Sequence, residues 1–275
     1  MPLVFCLKAQ PALSVDVAPL QLERLAPRNP AQVAAIPIWM GNRQVPCGEI
    51  FEIAGSAADS VLIFEGNCER LKSIGAGLRH GKIQVHGNAG MHLGAQMRGG
   101  EILVTGHAGD WAGAEMKGGR IQILGDTGHH AGAAYPGSKR GMTGGELLIC
   151  GNAGDGVGLR QRRGLVAVGG HTGAATGAGM IAGTIVIGDQ PGEQCGTGMK
   201  RGSILVLQPD APFPLTMNFR LAAVGQPTFV RLYLRHLLSL QFPLPEISIQ
   251  SHFRIYRGDS LTMGLGEIVC LTAVS

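Results

Sequence analysis

Five side chains within a short stretch could hold a metal ion: His107, Asp110, Asp126, His129 and His130. Imidazole and carboxylate are ordinary zinc ligands, but no three of these residues recur with zinc-like spacing, and no metal site is expected. A row of methionines (Met97, Met116, Met142, Met180 and Met199) offers thioether sulfur to a soft metal, or else fills an irregular apolar interior. The glycine-rich stretch "GNAGMHLGAQMRGG" (residues 87–100) invites a phosphate-cradle reading. A dinucleotide fingerprint, however, needs G-x-G-x-x-G between a strand and a helix, and no helical stripe follows these glycines. Nor does any serine or cysteine stand beside an identifiable base and orienting acid, so no catalytic residue is expected in this chain. What remains is a set of cations. Arg79, Arg98, Lys117, Arg162 and Lys200 share one position of a repeat, with Arg160, Arg163, Arg201, Lys139 and Arg140 beside them.

The element that must position these residues is the repeat itself. Aligned units begin at Lys82, Glu101, Arg120, Glu146, Leu165 and Thr184, nineteen residues apart except for twenty-six between Arg120 and Glu146. The seven extra residues fall within "AAYPGSKRGMTGG" (residues 133–145). Second and fourth positions are branched aliphatics throughout, from Ile83 and Val85 to Ile185 and Ile187, the alternation of a short strand with one buried face. The ninth, thirteenth and nineteenth positions are glycine in every full unit, as suits corners that need positive φ or close backbone approach. Nineteen residues are too few for a strand plus a helix. The fold expected is therefore all-β, a right-handed parallel β-helix of about seven coils. The seventh position (Asn88, His107, Asp126, Asn152, His171, Gln190) then reads as a stacked polar ladder after each corner. On such a stack the cations form a basic strip. Like charges in a row repel, so the strip either lies solvated or meets an acidic surface or an anionic chain, for which arginine forks suit carboxylates.

Three segments follow: an N-terminal cap or docking segment at 1–58, the repeats at 59–207, and an extension at 208–275. The extension carries one amphipathic helix at about 228–242, with Val230, Tyr233, Leu234, Leu237 and Leu238 as its apolar face, and then paired strands. The "RGD" within them reads as a charged turn. Net charge is +4 with few aromatics, which argues against nucleic acid as a partner. Apolar runs fall well short of the ~20 residues that span a bilayer, so no membrane partner is expected. Six scattered cysteines without a CxxC pair point to reduced thiols in a soluble cytoplasmic protein.

The "GNAG…GA.M.GG.I.V.G" coils resemble the glycine-rich β-helix shared by the C subunit of formylmethanofuran dehydrogenase and the C-terminal domain of glutamate synthase large subunits. "CGEIFEIAG" (residues 47–55), "RLYLRHL" and "YRGDSLTMGLGEI" resemble the former, and the Arg-rich, Ala/Gly-rich composition leans toward the C subunit of the bacterial formyltransferase/hydrolase complex. The resemblance implies a non-catalytic subunit beside an amidohydrolase-like A, a dehydrogenase-like B and a formyltransferase D subunit. Such a complex moves a formyl group from tetrahydromethanopterin to a methylofuran-type carrier and hydrolyses it to formate, with metals on the hydrolase subunit and no cofactor in this chain. Because the carrier has a glutamate-rich tail, Arg98, Lys117, Lys139, Arg140, Arg160, Arg162 and Arg163 become candidate tail contacts. The alternatives are the C subunit of a molybdenum or tungsten formylmethanofuran dehydrogenase, or a stand-alone glutamate-synthase-type interaction module. An independent polysaccharide-acting enzyme would need paired carboxylates in one groove, which the exposed positions do not supply.

Overall fold

Each repeat contributes a strand whose second and fourth residues point inward, and these strands pair in parallel with the same position of the next unit. The computed structural model describes residues 1–210, 215–245 and 251–272. The chain opens with β1 (Leu3–Leu7), β2 (Val15–Asp16), α1 (Leu22–Leu25), α2 (Pro30–Ala34), β3 (Pro37–Met40), β4 (Arg43–Pro46), α3 (Cys47–Ile50) and β5 (Phe51–Ala54). The repeat strands are β6 (Val61–Glu65), β8 (Lys82–His86), β9 (Glu101–Val104), β10 (Arg120–Ile123), β11 (Thr143–Ile149), β12 (Arg163–Val168), β13 (Thr184–Ile187) and β14 (Arg201–Val206), while β7 (Leu71–Lys72), between β6 and β8 in the chain, joins β2, β3 and β4 in a separate four-stranded sheet. β15 (Arg220–Gly225), α4 (Thr228–Ser239), β16 (Phe253–Gly258) and β17 (Leu265–Leu271) complete it.

Ile83 lies beside Ile102, Ile102 beside Ile121, Ile121 beside Leu147, Leu147 beside Val166, and Val166 beside Ile185. Antiparallel strands finish the sheet at both ends: β5 beyond β1, and β16 then β15 beyond β17. A second line of parallel bridges joins Cys68, Ala89, Ala108, Thr127, Ala153, Thr172 and Pro191, each the eighth residue of its unit. The architecture is mostly sheet. Its interior holds the aliphatic pairs together with Met97, Met116, Met142, Met180 and Met199, all fully buried, so the methionine row is packing. Gln161 takes the same position and is equally buried, its amide donating to the Gly164 carbonyl at 2.9 Å.

The glycine columns divide by cause. Ninth-position glycines have no positive φ, but a Cβ at Gly90 would stand 2.3 Å from the Leu71 carbonyl oxygen of the preceding unit. Nineteenth-position Gly100 meets both constraints, with φ +79° and a Cβ position 2.6 Å from the Gly81 oxygen.

At the N-terminal end three aromatic rings plug the interior: Phe5 stacks on Phe64 at 4.9 Å and meets Phe51 edge-on at 5.6 Å. At the other end Asp259 is buried and accepts N–H groups from Gly198 at 3.0 Å and Leu261 at 2.8 Å. The Arg-Gly-Asp triplet is therefore not a solvated turn, because its aspartate ties the last repeat to the returning strand. α4 lies on the outer face of the sheet. Val230, Leu237 and Phe242 pack with Leu148, Leu165, Ala167, Val186, Leu205 and Val269. Leu238, expected on the apolar face, is 62% exposed, since at ~100° per residue it sits at the flank of the stripe centred on Val230 and Leu237. The helix ends at Ser239 because Gln241 takes φ +55° and the Phe242 N–H returns to the Leu237 carbonyl at 3.0 Å. β16 and β17 form an antiparallel pair, while residues 273–275 lie outside the described part. All six cysteines are free; burial pushes the thiols of Cys47, Cys68, Cys195 and Cys270 up to about 12.

α4 is also held by charge. Glu146 accepts from Arg120 Nε at 2.7 Å through one oxygen and meets His236 Nε2 through the other. Burial works to raise the Glu146 pKa, yet the hydrogen bonds and charges of Arg120 and His236 outweigh it and hold the carboxyl below its ordinary value.

Two tests follow from these contacts. Gly90→Ala must displace a neighbouring backbone and should cost about 3 kcal/mol, whereas Gly77→Ala, at φ +72° with open space around it, should cost about 1 kcal/mol; urea midpoints separate them. For Glu146, a lowered folded-state pKa means that its contribution is complete above the ordinary carboxylate range and is lost as pH falls through the lowered value. Stability should therefore fall more steeply below about pH 4.5 in the wild type than in Glu146→Gln, as read by denaturation at stepped pH.

Candidate functional site

Four of the five side chains that resemble metal ligands, His107, Asp110, Asp126 and His129, are spent on backbone, whereas His130 stacks on Trp111 and its buried Nδ1 has no hydrogen-bond partner among the described residues. Asn88 Oδ1 accepts the His107 N–H at 2.9 Å, His107 Nδ1 accepts that of Asp126 at 2.9 Å, Asp126 Oδ1 that of Asn152 at 2.7 Å, and Asn152 Oδ1 that of His171 at 3.1 Å. A parallel ladder runs three positions later: Asp110 Oδ1 to the His129 N–H at 2.7 Å, His129 Nδ1 to Asp155 at 3.0 Å, and Asp155 Oδ1 to Ala174 at 2.8 Å. Each side chain closes the corner of the next unit. Among the described residues no three His, Cys, Asp or Glu are grouped to hold a metal ion.

The basic row is carried by stacked backbone. Arg98, Lys117, Thr143, Arg162, Ile181 and Lys200 each donate an N–H to the sixteenth-position residue one unit before, at 2.7 or 2.8 Å. Thr143 and Ile181 break the row. Arg98 and Lys117 are one rung apart, about 4.8 Å, while Arg162 lies two rungs beyond Lys117, about 10 Å. The seven-residue insertion precedes Thr143 in the same unit. It leaves the stack after Ala134, whose N–H binds the Leu159 carbonyl at 3.0 Å, and rejoins at Gly141, whose N–H binds the Arg160 carbonyl at 2.9 Å. Arg160 Nη1 reaches into the insertion and donates to the Ser138 carbonyl at 2.7 Å. Lys139, Arg140 and Arg160 are thus brought together, exposed, with Arg162 two residues on and Arg163 opening β12. Arg98 is drawn elsewhere. It lines a groove of about 360 Å³ with Gln21, Glu23, Arg24, Gly77, Arg79 and Gln96, against α1.

A neighbouring groove of about 460 Å³ shares Gln21, Gly77 and Gln96 and adds His92 and Tyr135. Sequence reasoning missed this aromatic group. Tyr135, from the insertion, stacks on Trp111 at 5.0 Å, and Trp111 stacks on His130 at 4.4 Å. His92 Nδ1 and Tyr135 Oη are 2.8 Å apart. Burial, aided by Lys72, lowers the His92 pKa, and burial, aided by Glu115, pushes Tyr135 up to about 12, so a neutral phenol and a neutral imidazole share this hydrogen bond at neutral pH. His92, Trp111 and His130 have φ of 62°, 64° and 62°, a left-handed conformation that bulky residues seldom adopt. The available signal was the spacing of His92, Trp111 and His130 at the eleventh position.

Arg160→Met removes the insertion's side-chain tether. Amide exchange at residues 137–140 should quicken about five- to ten-fold, as loss of one hydrogen bond near 1 kcal/mol implies, while β11 and β12 amides stay unchanged.

Comparison with known proteins places these features in a family. Residues 70–227 match the model described as GXGXG motif. One chain of the formyltransferase/hydrolase complex FhcABCD from Methylorubrum extorquens, solved in complex with methylofuran, superposes with a TM-score of 0.89 at 34% identity, covering 98% of this chain and 100% of that one. The C subunit of a molybdenum-containing formylmethanofuran dehydrogenase from Methanosarcina barkeri is 38% identical over 75 residues, 26% of this chain and 25% of the relative. The C subunit of the formyltransferase/hydrolase complex Fhc of Methylorubrum extorquens is 38% identical over 79 residues, 29% of this chain and 28% of the relative. The sequence alignments to these two curated relatives thus span about a quarter of their lengths. Among the described residues no helix is long and apolar enough to cross a membrane.

Proposed function

We propose, on the premise that this chain belongs to the GXGXG-motif family, that it is a non-catalytic scaffold subunit of a formyltransferase/hydrolase complex of one-carbon metabolism. The complex transfers a formyl group from tetrahydromethanopterin to methylofuran and hydrolyses it to formate. One observation carries the reading: the likeness to a chain of FhcABCD extends over 98% of this sequence and all of that chain, flanks included. In this reading the stack is a right-handed parallel β-helix of about seven coils at 59–207. Residues 1–58 cap it or dock it, and 208–275 form an extension. Amidohydrolase-like A, dehydrogenase-like B and formyltransferase D subunits surround it in the cytoplasm, and metals reside on the hydrolase.

The basic surface gives the chain a direct part in carrier handling. Lys139, Arg140, Arg160, Arg162 and Arg163 gather at the insertion, with Lys117 and Arg98 on rungs before it, and guanidinium forks match the carboxylates of a polyglutamate tail. Binding there keeps the carrier attached while its head group visits other subunits. The second reading, the C subunit of a molybdenum or tungsten formylmethanofuran dehydrogenase, draws on the Methanosarcina barkeri likeness, which covers 26% of this chain.

Affinity purification of the tagged chain from its source cells, with mass spectrometry of what accompanies it, tests the assembly. Hydrolase-like, dehydrogenase-like and formyltransferase partners are expected; a pterin-molybdenum or pterin-tungsten partner selects the second reading, and a lone chain overturns both. Arg162→Glu with Arg163→Glu should weaken retention of methylofuran by the assembled complex about ten-fold or more, read by carrier content per complex after dilution.

A further inference from the structure

The two ends of the stack are not alike. At the N-terminal end β5 is the outermost strand, and Leu22, Leu25, Val33 and Cys47 of α1, α2 and α3 join the same buried cluster as its Phe51. At the C-terminal end the outermost strand among the described residues is β15, "RLAAVG", in which Arg220, Leu221, Ala222, Ala223 and Val224 are all exposed. Alternate residues of a strand point to opposite faces, so five exposed residues in a row mean that neither face of β15 is covered.

The surroundings extend this surface. Of the twelve large apolar side chains that stand exposed among the described residues, eight fall between Met217 and Leu265. The Ser260 N–H donates to the Asn218 carbonyl at 3.1 Å, which brings Met217, 98% exposed, next to Leu261, 79% exposed. Leu221 and Val224 continue the patch along the strand. Edge strands in proteins that stand alone are blunted with charges, prolines or a covering element. β15 has one arginine at its start and one bulge, between Leu221 and Ala223, which raises the local twist without covering the edge.

Charge indicates what the occupant carries. Arg220 lies directly opposite Arg257 of β16, both exposed, and like charges across a strand pair are destabilising. Glu267 of β17 lies opposite Arg257 in register, but its Oε1 accepts from Ser203 Oγ at 3.2 Å. Among the described residues neither Arg220 nor Arg257 has a carboxylate at ion-pair distance, so the positive charge of Arg220 at the outermost strand stands uncompensated.

We infer that β15 and the Met217–Leu261 patch receive an extended segment of another protein of the assembly, apolar in its centre and acidic where it passes Arg220. Main-chain pairing at the sheet edge supplies affinity, and Leu221 and Val224 supply the contact that fixes position. The inference rests on the chain being one member of an assembly, and it names a face on which that assembly is built.

Amide exchange across residues 220–225 is compared between the assembly purified from source cells and the chain produced alone. The Leu221, Ala222, Ala223 and Val224 amides should exchange at least ten-fold more slowly in the assembly. Leu221→Asp with Val224→Asp should release the chain from its partners while β8 to β13 keep their slow exchange, and Arg220→Glu, which leaves the apolar contacts intact, should raise the partner's dissociation rate. Equal exchange in an assembly that does form overturns this inference and leaves the proposed function standing; recovery of the chain without partners removes the reading beneath both. Slow exchange in the chain alone, with concentration-dependent self-association in sedimentation, assigns the edge to a second copy and also overturns it.

Discussion

Every feature of this molecule depends on backbone stacking at the spacing of one hydrogen bond. When units nineteen residues long pair in parallel, identical positions coincide, and whatever occupies a position meets its own kind about 4.8 Å above and below. Aliphatic pairs gain from this, because each buries itself against like neighbours. Corners do not tolerate it so freely: at Gly90 the preceding backbone comes so close that a single Cβ would stand 2.3 Å from a carbonyl oxygen. The ninth-position glycines are thus a consequence of close backbone approach, and the dinucleotide reading fails because no helix follows them. The polar corners obey the same constraint. His107 and His129 use Nδ1 to accept an N–H of the following unit, which commits to the stack the ring nitrogens a metal would need.

A stack of this kind is sound in its middle and exposed at its ends, and the flanking segments answer that problem differently. The N-terminal segment supplies an aromatic plug of Phe5 and Phe51 against Phe64 and then folds its short helices around the terminal strand. The C-terminal segment returns as β17, continues the sheet in parallel, and is tied down by the buried Asp259. The preceding strands β16 and β15 extend the sheet beyond β17 as an antiparallel ribbon. α4 covers one outer face of the repeat strands, held by apolar packing and by Glu146 between Arg120 and His236.

What was legible in the sequence is what repetition writes into it. The nineteen-residue register, the buried aliphatic and methionine columns and the polar ladder all follow from aligning one unit on the next, because stacking converts a column directly into a contact. Features that depend on a single local conformation were not legible. Gln241 takes a left-handed φ that usually announces itself as glycine, so the end of α4 fell three residues short of its expected position. Leu238 fits the apolar periodicity but lies at its flank. The Arg-Gly-Asp triplet reads as a charged turn until the burial of Asp259 is seen. The cationic row was legible as a column but not as a broken one, since a column alignment says nothing about where an inserted loop comes to rest.

That loop is where the constraint relaxes, and this explains why the chemically varied residues gather there. Positions facing the interior or closing a corner are fixed by their neighbours, whereas outward positions, the eleventh and seventeenth among them, and the insertion are free to vary. The eleventh becomes aromatic in three successive units, at His92, Trp111 and His130, despite the cost of a left-handed backbone at each. The seventeenth becomes cationic. The insertion adds Tyr135 to the aromatic stack and Lys139 and Arg140 to the cations, and Arg160 fastens it to the coil below. A rigid stack with its few free positions concentrated around one loop behaves as a frame: it fixes the spacing of its surface groups to the repeat of the backbone. Under the proposed function, a carrier tail bound on this side meets guanidinium groups along a line set by the hydrogen bonds of the sheet.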